Sequence, residues 1–185
     1  AIAPERLDTD GVFLHEGPAR TFTSEEAAIA AIKQGTVQAR DIMVLMGIGP
    51  GIGMPETYQV TSALRHLKEA AEITLITDGR FSGVSTGACI GHISPEAWAD
   101  GPLARVRDGD RLAVRIDTRN LEGSLDLVSS PEPEWLSRPL HPDLLPDPRV
   151  PADTRLWAAL QQVSGGTWGG CVYDVPAILK RLGAG

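Results

Sequence analysis

Residues 77–83 read Thr77-Asp78-Gly79-Arg80-Phe81-Ser82-Gly83, directly after the β-branched, apolar run Ile73-Thr74-Leu75-Ile76. The run has the length and composition of a buried strand. A strand that ends in Thr-Asp-Gly and enters a loop with glycines at 79, 83 and 87 lets backbone approach a ligand closely. Arg80, Ser82, Ser85 and Thr86 add one cation and three hydroxyls to that loop. Taken alone, the same composition also suits a turn whose hydroxyls cap the next element.

A second strand-to-loop passage lies upstream. Ile42-Met43-Val44-Leu45-Met46 is a continuous apolar run, so both faces of that strand should be covered. It leads into Gly47-Ile48-Gly49-Pro50-Gly51-Ile52-Gly53, and Met54-Pro55-Glu56-Thr57 is expected to open a helix reaching about Ala70. Glu56 in a first helical turn is favoured by the helix dipole. No Gly-Lys-Ser/Thr follows the glycines, so a phosphate-loop reading is weak.

Around these two passages the pattern alternates between strands and helices. Gly11–Leu14 and residues 17–22 suggest two short extended pieces. Thr23 with Glu26 suggests a capping box for a helix to about Gln34. Ser94-Pro95-Glu96 reads as a helix start with Ser as N-cap, and His92 beside it reads as structural. Leu103–Val106 and Arg111–Ile116 flank Asp108-Gly109-Asp110, which suggests a hairpin. Leu121–Val128 alternates again. Prolines then recur from Pro131 to Pro151, the mark of an extended surface arm. An amphipathic stretch (154–163), a glycine-rich Trp168 segment that suits subunit packing, and a terminal helix (176–182) close the chain. The expected architecture is α/β: a compact, mostly β core with surrounding helices over 1–130, and a proline-rich arm with a terminal helix over 131–185.

The composition narrows the function classes. With 185 residues, 42% hydrophobic and 22% charged, the chain is that of an ordinary globular domain. A net charge of −7 argues against a nucleic-acid surface. No apolar run approaches the roughly 20 residues that span a bilayer, and no secretory signal pattern opens the chain. A cytoplasmic protein without a membrane partner is the expectation. Cys89 and Cys171 have no C-x-x-C partner and read as small hydrophobes. His15, His66, His92 and His141 are too scattered to suggest a zinc site.

Three blocks stand in order: the loop ending in Gly53-Met54-Pro55-Glu56, then Thr77–Gly83, then Gly91-His92-Ile93-Ser94-Pro95-Glu96-Ala97. In this the chain resembles, from about Ala3 to about Val128, the C-terminal domain of the dihydroxy-acid dehydratase and 6-phosphogluconate dehydratase family. The tail, with Gly166-Thr167-Trp168-Gly169-Gly170-Cys171, resembles the sugar-acid, xylonate-type branch. The resemblance implies a swivelling β/α barrel and a hydro-lyase that converts a sugar acid or 2,3-dihydroxy acid to a 2-keto-3-deoxy acid. It implies Ser82 as the base, acting as an alkoxide, and Glu56 as a ligand of Mg²⁺, with Arg80, Ser85 and Thr86 as candidate substrate contacts. It also implies an iron–sulfur cluster whose iron acts on the departing hydroxyl, with ligands in an N-terminal domain of the same parent chain, and a homodimer or tetramer. The chain opens at Ala1 without an initiator Met, which reads as a C-terminal piece of a longer enzyme, inactive alone. The alternatives are a non-catalytic binding or regulatory module of the same fold and an aconitase-type swivelling domain.

Overall fold

In the computed structural model, residues 1–85, 87–145 and 148–184 are described. Six strands form one mixed sheet in the order β4-β3-β2-β1-β5-β6. They are β1 (Val12–Phe22), β2 (Ile42–Leu45), β3 (Thr74–Thr77), β4 (Ala88–Ile90), β5 (Arg111–Asp117) and β6 (Glu122–Ser129). The first four run parallel, while β5 is antiparallel to both β1 and β6. Among the described residues four α-helices accompany them: α1 (Glu25–Lys33), α2 (Gln59–Leu64), α3 (Ala152–Val163) and α4 (Val175–Leu182).

The apolar run in β2 explains the layering. Ile42 and Val44 face one core with Phe13, Ile76, Leu112 and Val114, around which the sheet curls into a half-barrel. Met43 and Leu45 face the opposite core with Ala28 and Ile32 of α1 and Val60 and Leu64 of α2. Both faces of the strand are buried because side chains alternate across the sheet and each side is covered. The α/β class is thus as expected, with a curled half-barrel sheet where the resemblance implies a β/α barrel.

Several local expectations change. The two extended pieces at 11–22 are one strand, β1, paired with β5 from Val12 to Pro18 and with β2 from Ala19 to Phe22. Gly17 permits this: a Cβ there would stand 1.9 Å from the Arg40 carbonyl oxygen. The cap of α1 is Ser24, whose Oγ accepts from Ala27 N–H at 3.2 Å, a bond worth about 1 kcal/mol. Thr23 is not the cap, and Glu25 instead accepts from the Val60 N–H at 3.1 Å.

The helix expected from Met54 begins only at Gln59, because Thr57 is held elsewhere. Its N–H and its hydroxyl both donate to the Arg80 carbonyl, at 3.0 and 2.8 Å. After Leu64 the chain continues as a 3₁₀ turn, Lys68–Glu72. At residue 94 no α-helix starts; a single 3₁₀ turn, Ala97–Ala99, follows Glu96. Leu103–Val106 is not a strand either, since Pro102–Arg105 forms a 3₁₀ turn. The hairpin joins β5 to β6, where Asp117 accepts from the backbone N–H groups of Arg119 and Asn120.

Beyond β6 the chain stays on this body. Arg138 is buried in an ion pair with Asp110, and Leu144 enters the half-barrel core. No helix among the described residues is long and apolar enough to cross a membrane.

Candidate active site

The loops that leave β2, β3 and β4 gather at the carboxyl ends of the parallel strands, the edge where open α/β sheets bind ligands. Asp78, the first residue after β3, ties them together. Its carboxylate accepts N–H bonds from Gly47 at 3.0 Å, Ile48 at 3.1 Å and Ala97 at 2.9 Å. Burial pushes this carboxyl above its usual range, and the three N–H groups pull the other way. Glu96 adds a second clamp: its Oε2 accepts from Gly51 N–H at 2.7 Å and its Oε1 from the Thr167 hydroxyl at 3.4 Å. Desolvation again raises its pKa, with a smaller push from nearby Asp78. A side chain at Gly49 would put its Cβ 2.7 Å from the Glu96 carboxylate, so glycine lets the loops close this tightly.

On this frame Glu56 and Arg80 come together. They form an isolated parallel bridge, and Arg80 Nη1 stands 3.5 Å from Glu56 Oε1. The Arg80 Nε–H donates to the Met54 carbonyl at 3.0 Å. Both side chains are about half exposed, so the pair lies open to a ligand. Ser82 follows on the same loop, half-buried, and the Val84 N–H points to its Oγ at 3.5 Å. Ser85 turns inward instead. It is buried, with its hydroxyl 3.4 Å from that of Thr61 on α2. Thr86 lies outside the described residues.

The fit of metal groups follows from these donors. Glu56 offers one exposed carboxylate, which suits a hard cation such as Mg²⁺ as a single ligand. Among the described residues, no cluster of three or more His, Cys, Asp and Glu side chains could hold a metal ion. The cysteines do not suit an iron–sulfur cluster: Cys89 is buried in the helix-covered core with its thiol pushed up to about 11, and among the described residues Cys171 belongs to no group of three or more ligating side chains.

Sequence reasoning missed three participants. Asp78 stands inside the key motif without a role in that reading, Glu96 reads as the acid in a helix's first turn, and Thr167 falls in a segment that suits subunit packing. The signal for Glu96 was its place in the third block, residues 91–97; Thr167 is far in sequence and gave none.

Fold and site define a half-barrel α/β domain that presents a carboxylate, a guanidinium and a serine at the carboxyl edge of its parallel strands. The chain belongs to the dihydroxy-acid/6-phosphogluconate dehydratase C-terminal family, whose model matches residues 6–142. It is 52% identical to D-xylonate dehydratase YjhG of Escherichia coli over 98% of its length, and 50% identical to D-xylonate dehydratase YagF of the same organism over 100%. It is 43% identical to the dihydroxy-acid dehydratase of Trichlorobacter lovleyi over 75% of its length, covering 28% of that relative. The chain spans about 30% of the length of the two xylonate dehydratases.

Proposed function

We propose that this chain is the C-terminal domain of a sugar-acid dehydratase that forms a 2-keto-3-deoxy acid. The observation that carries the reading is the pairing of Glu56 with Arg80 beside Ser82 on a loop frame held by Asp78, in a chain this similar to two xylonate dehydratases. Overall, C2 loses a proton, C3 loses hydroxide as water, and the resulting enol becomes the 2-keto acid.

Ser82 takes the C2 proton. An ordinary serine is too weak a base for this near neutral pH and needs donors or nearby positive charge to hold its anion. The Val84 N–H, aimed at Oγ, supplies one such donor. Glu56 would be one ligand of a bound Mg²⁺, which would supply Lewis-acid charge on the substrate's carboxylate side. Arg80 keeps the Glu56 carboxylate oriented until substrate arrives and then contributes to binding the substrate carboxylate. Ser85 supports the loop from below through Thr61. The partner for the departing C3 hydroxyl, the ligands of an iron–sulfur cluster and the remaining Mg²⁺ ligands belong to the rest of the parent chain.

We further propose that the segment from about 131 onward, which packs on this same domain through Arg138, Leu144 and the Gly166–Gly169 turn, turns its outer face to a neighbouring subunit of a homodimer or tetramer. Its exposed apolar side chains, Trp168, Val172, Tyr173 and Leu179 among them, support this.

The test uses the full-length parent enzyme with its cluster and Mg²⁺ in place, assayed for 2-keto acid formation from pentonates, hexonates and 2,3-dihydroxy-3-methylbutanoate. Turnover that disappears in Ser82→Ala, with iron and Mg²⁺ still bound, supports both reaction and base. A loaded wild type that turns over none of these acids would establish the non-catalytic module instead.

A further inference from the structure

The C-terminal tail does more than cover the domain. The chain folds back after α3 through a 3₁₀ turn, Gly166–Gly169, that packs on the Pro50–Ile52 turn of the β2 loop. Gly165, Gly166 and Gly170 all take positive φ, which a side chain would resist. The loop is closed by the Cys171 N–H donating to the Gly166 carbonyl at 2.9 Å. In this conformation Thr167 and Cys171 come to line a cleft of about 310 Å³ together with Met54, His92 and Glu96. That volume is at the small end of clefts that take small molecules.

Two walls of the cleft are hydrogen-bonded to the loop that carries Arg80 and Ser82, and Asp78 lines it. Met54, on its wall, accepts from the Arg80 Nε–H. His92, on the same wall, donates its backbone N–H to the Gly79 carbonyl at 2.8 Å. The polar groups in it suit hydroxyls: the Thr167 Oγ can donate and accept, and its bond to the buried Glu96 Oε1 is long at 3.4 Å, which leaves the Thr167 hydroxyl open to a better partner. The family model ends at residue 142, yet the two xylonate dehydratases align over 98% and 100% of the chain. The dihydroxy-acid dehydratase match leaves a quarter of the chain unaligned.

Building on the dehydratase reading, we propose that this cleft is the subsite for the distal hydroxyl groups of a sugar acid, with Thr167 as the tail's hydrogen-bonding residue. The tail then sets specificity. A polyol chain beyond C3 finds the Thr167 hydroxyl, and an acid with only methyl groups there leaves that hydroxyl with its long Glu96 bond alone.

The experiment compares the full-length holoenzyme with its Thr167→Val and Thr167→Ser variants on a pentonate and on 2,3-dihydroxy-3-methylbutanoate. For each acid kcat and KM are measured, or Ki against the pentonate where turnover is too slow. Valine keeps the shape and deletes the hydroxyl; serine retains it. The expected result is that Thr167→Val lowers the preference for the pentonate over the short acid about tenfold, mainly through KM, the size of one lost hydrogen bond. Thr167→Ser should restore most of it. A preference unchanged in Thr167→Val, or one lost equally in Thr167→Ser, overturns the subsite while leaving the dehydratase reading intact. A wild type that forms no 2-keto acid from pentonates, hexonates or the short acid overturns the dehydratase reading and the subsite with it.

Discussion

Arg138 grips Asp110 through two bonds, Nη1 to Oδ2 at 2.6 Å and Nη2 to Oδ1 at 3.1 Å, with both residues buried. The pair fastens the proline-rich run to the start of β5. Ser130 and Glu132 also contact the guanidinium, and Asp110 in turn accepts from the Arg107 N–H. The Arg138 bond is the main force holding the Asp110 carboxyl below the usual carboxylate range against its desolvation. Removing one partner strands a buried charge, which is far more damaging than losing a surface pair.

Arg138→Met should therefore destabilise the fold by about 3–5 kcal/mol. Urea unfolding measures it. The double variant Arg138→Met with Asp110→Leu should recover much of the loss, because no unpaired charge remains. A single variant as stable as wild type would show that water reaches Asp110 in the folded state.

Glu56 and Arg80 form the contrasting pair. At 3.5 Å and about half exposed, their contact is worth about 0–1 kcal/mol. Glu56→Gln should leave urea unfolding almost unchanged. In the full-length enzyme it should reduce turnover at least about 100-fold at low Mg²⁺, as expected when a metal ligand is lost. A variant with normal Mg²⁺ dependence would remove Glu56 from the metal site.

Asp78 offers a third test. Its carboxylate oxygens serve three N–H donors from two loops. In Asp78→Asn an amide NH₂ replaces one acceptor and faces a donor. The expected cost is about 1–3 kcal/mol, together with lower activity of the parent enzyme as the loops loosen. Amide exchange at Gly47, Ile48 and Ala97 reports the loosening directly.

His15 brings a pH dependence. It is buried, its Nε2 lies 3.1 Å from the Arg40 carbonyl, and its Nδ1 bonds the Thr74 hydroxyl. Desolvation lowers its pKa, opposed by the Arg40 carbonyl, while the charges of Arg6 and Arg40 lower it further. The folded state thus takes up a proton at lower pH than the unfolded chain does. Stability is full above the unfolded value, about 6.5, and falls as the pH drops from there toward the folded pKa. The difference in unfolding free energy between wild type and His15→Gln should shrink over that interval. A difference independent of pH would mean that His15 is neutral, or charged, in both states.

How much of this was legible beforehand varies by element. Ile42–Met46 and Ile73–Ile76 declared themselves as buried strands, because a run apolar on consecutive positions has to be covered on both faces. Ser82, Glu56 and Arg80 were legible as candidates through their motifs. Other elements were not. The helix expected from Met54 gave way to Gln59, since Thr57 bonds the Arg80 carbonyl twenty-three residues away, a partner that no local pattern encodes. The strand expected at Leu103–Val106 became a 3₁₀ turn, and the hairpin moved to β5 and β6.

By itself, then, the sequence determined the α/β class, the two strand-to-loop passages and the serine and carboxylate they carry, because periodicity and glycine placement are local properties. Only the tertiary structure decided which groups meet: Asp78 with three backbone N–H groups, Arg138 with Asp110, Glu96 with Thr167. These contacts join residues 19 to 71 positions apart. Long-range pairing of this kind is set by how the sheet curls and the chain closes over it, and one-dimensional spacing carries no trace of it.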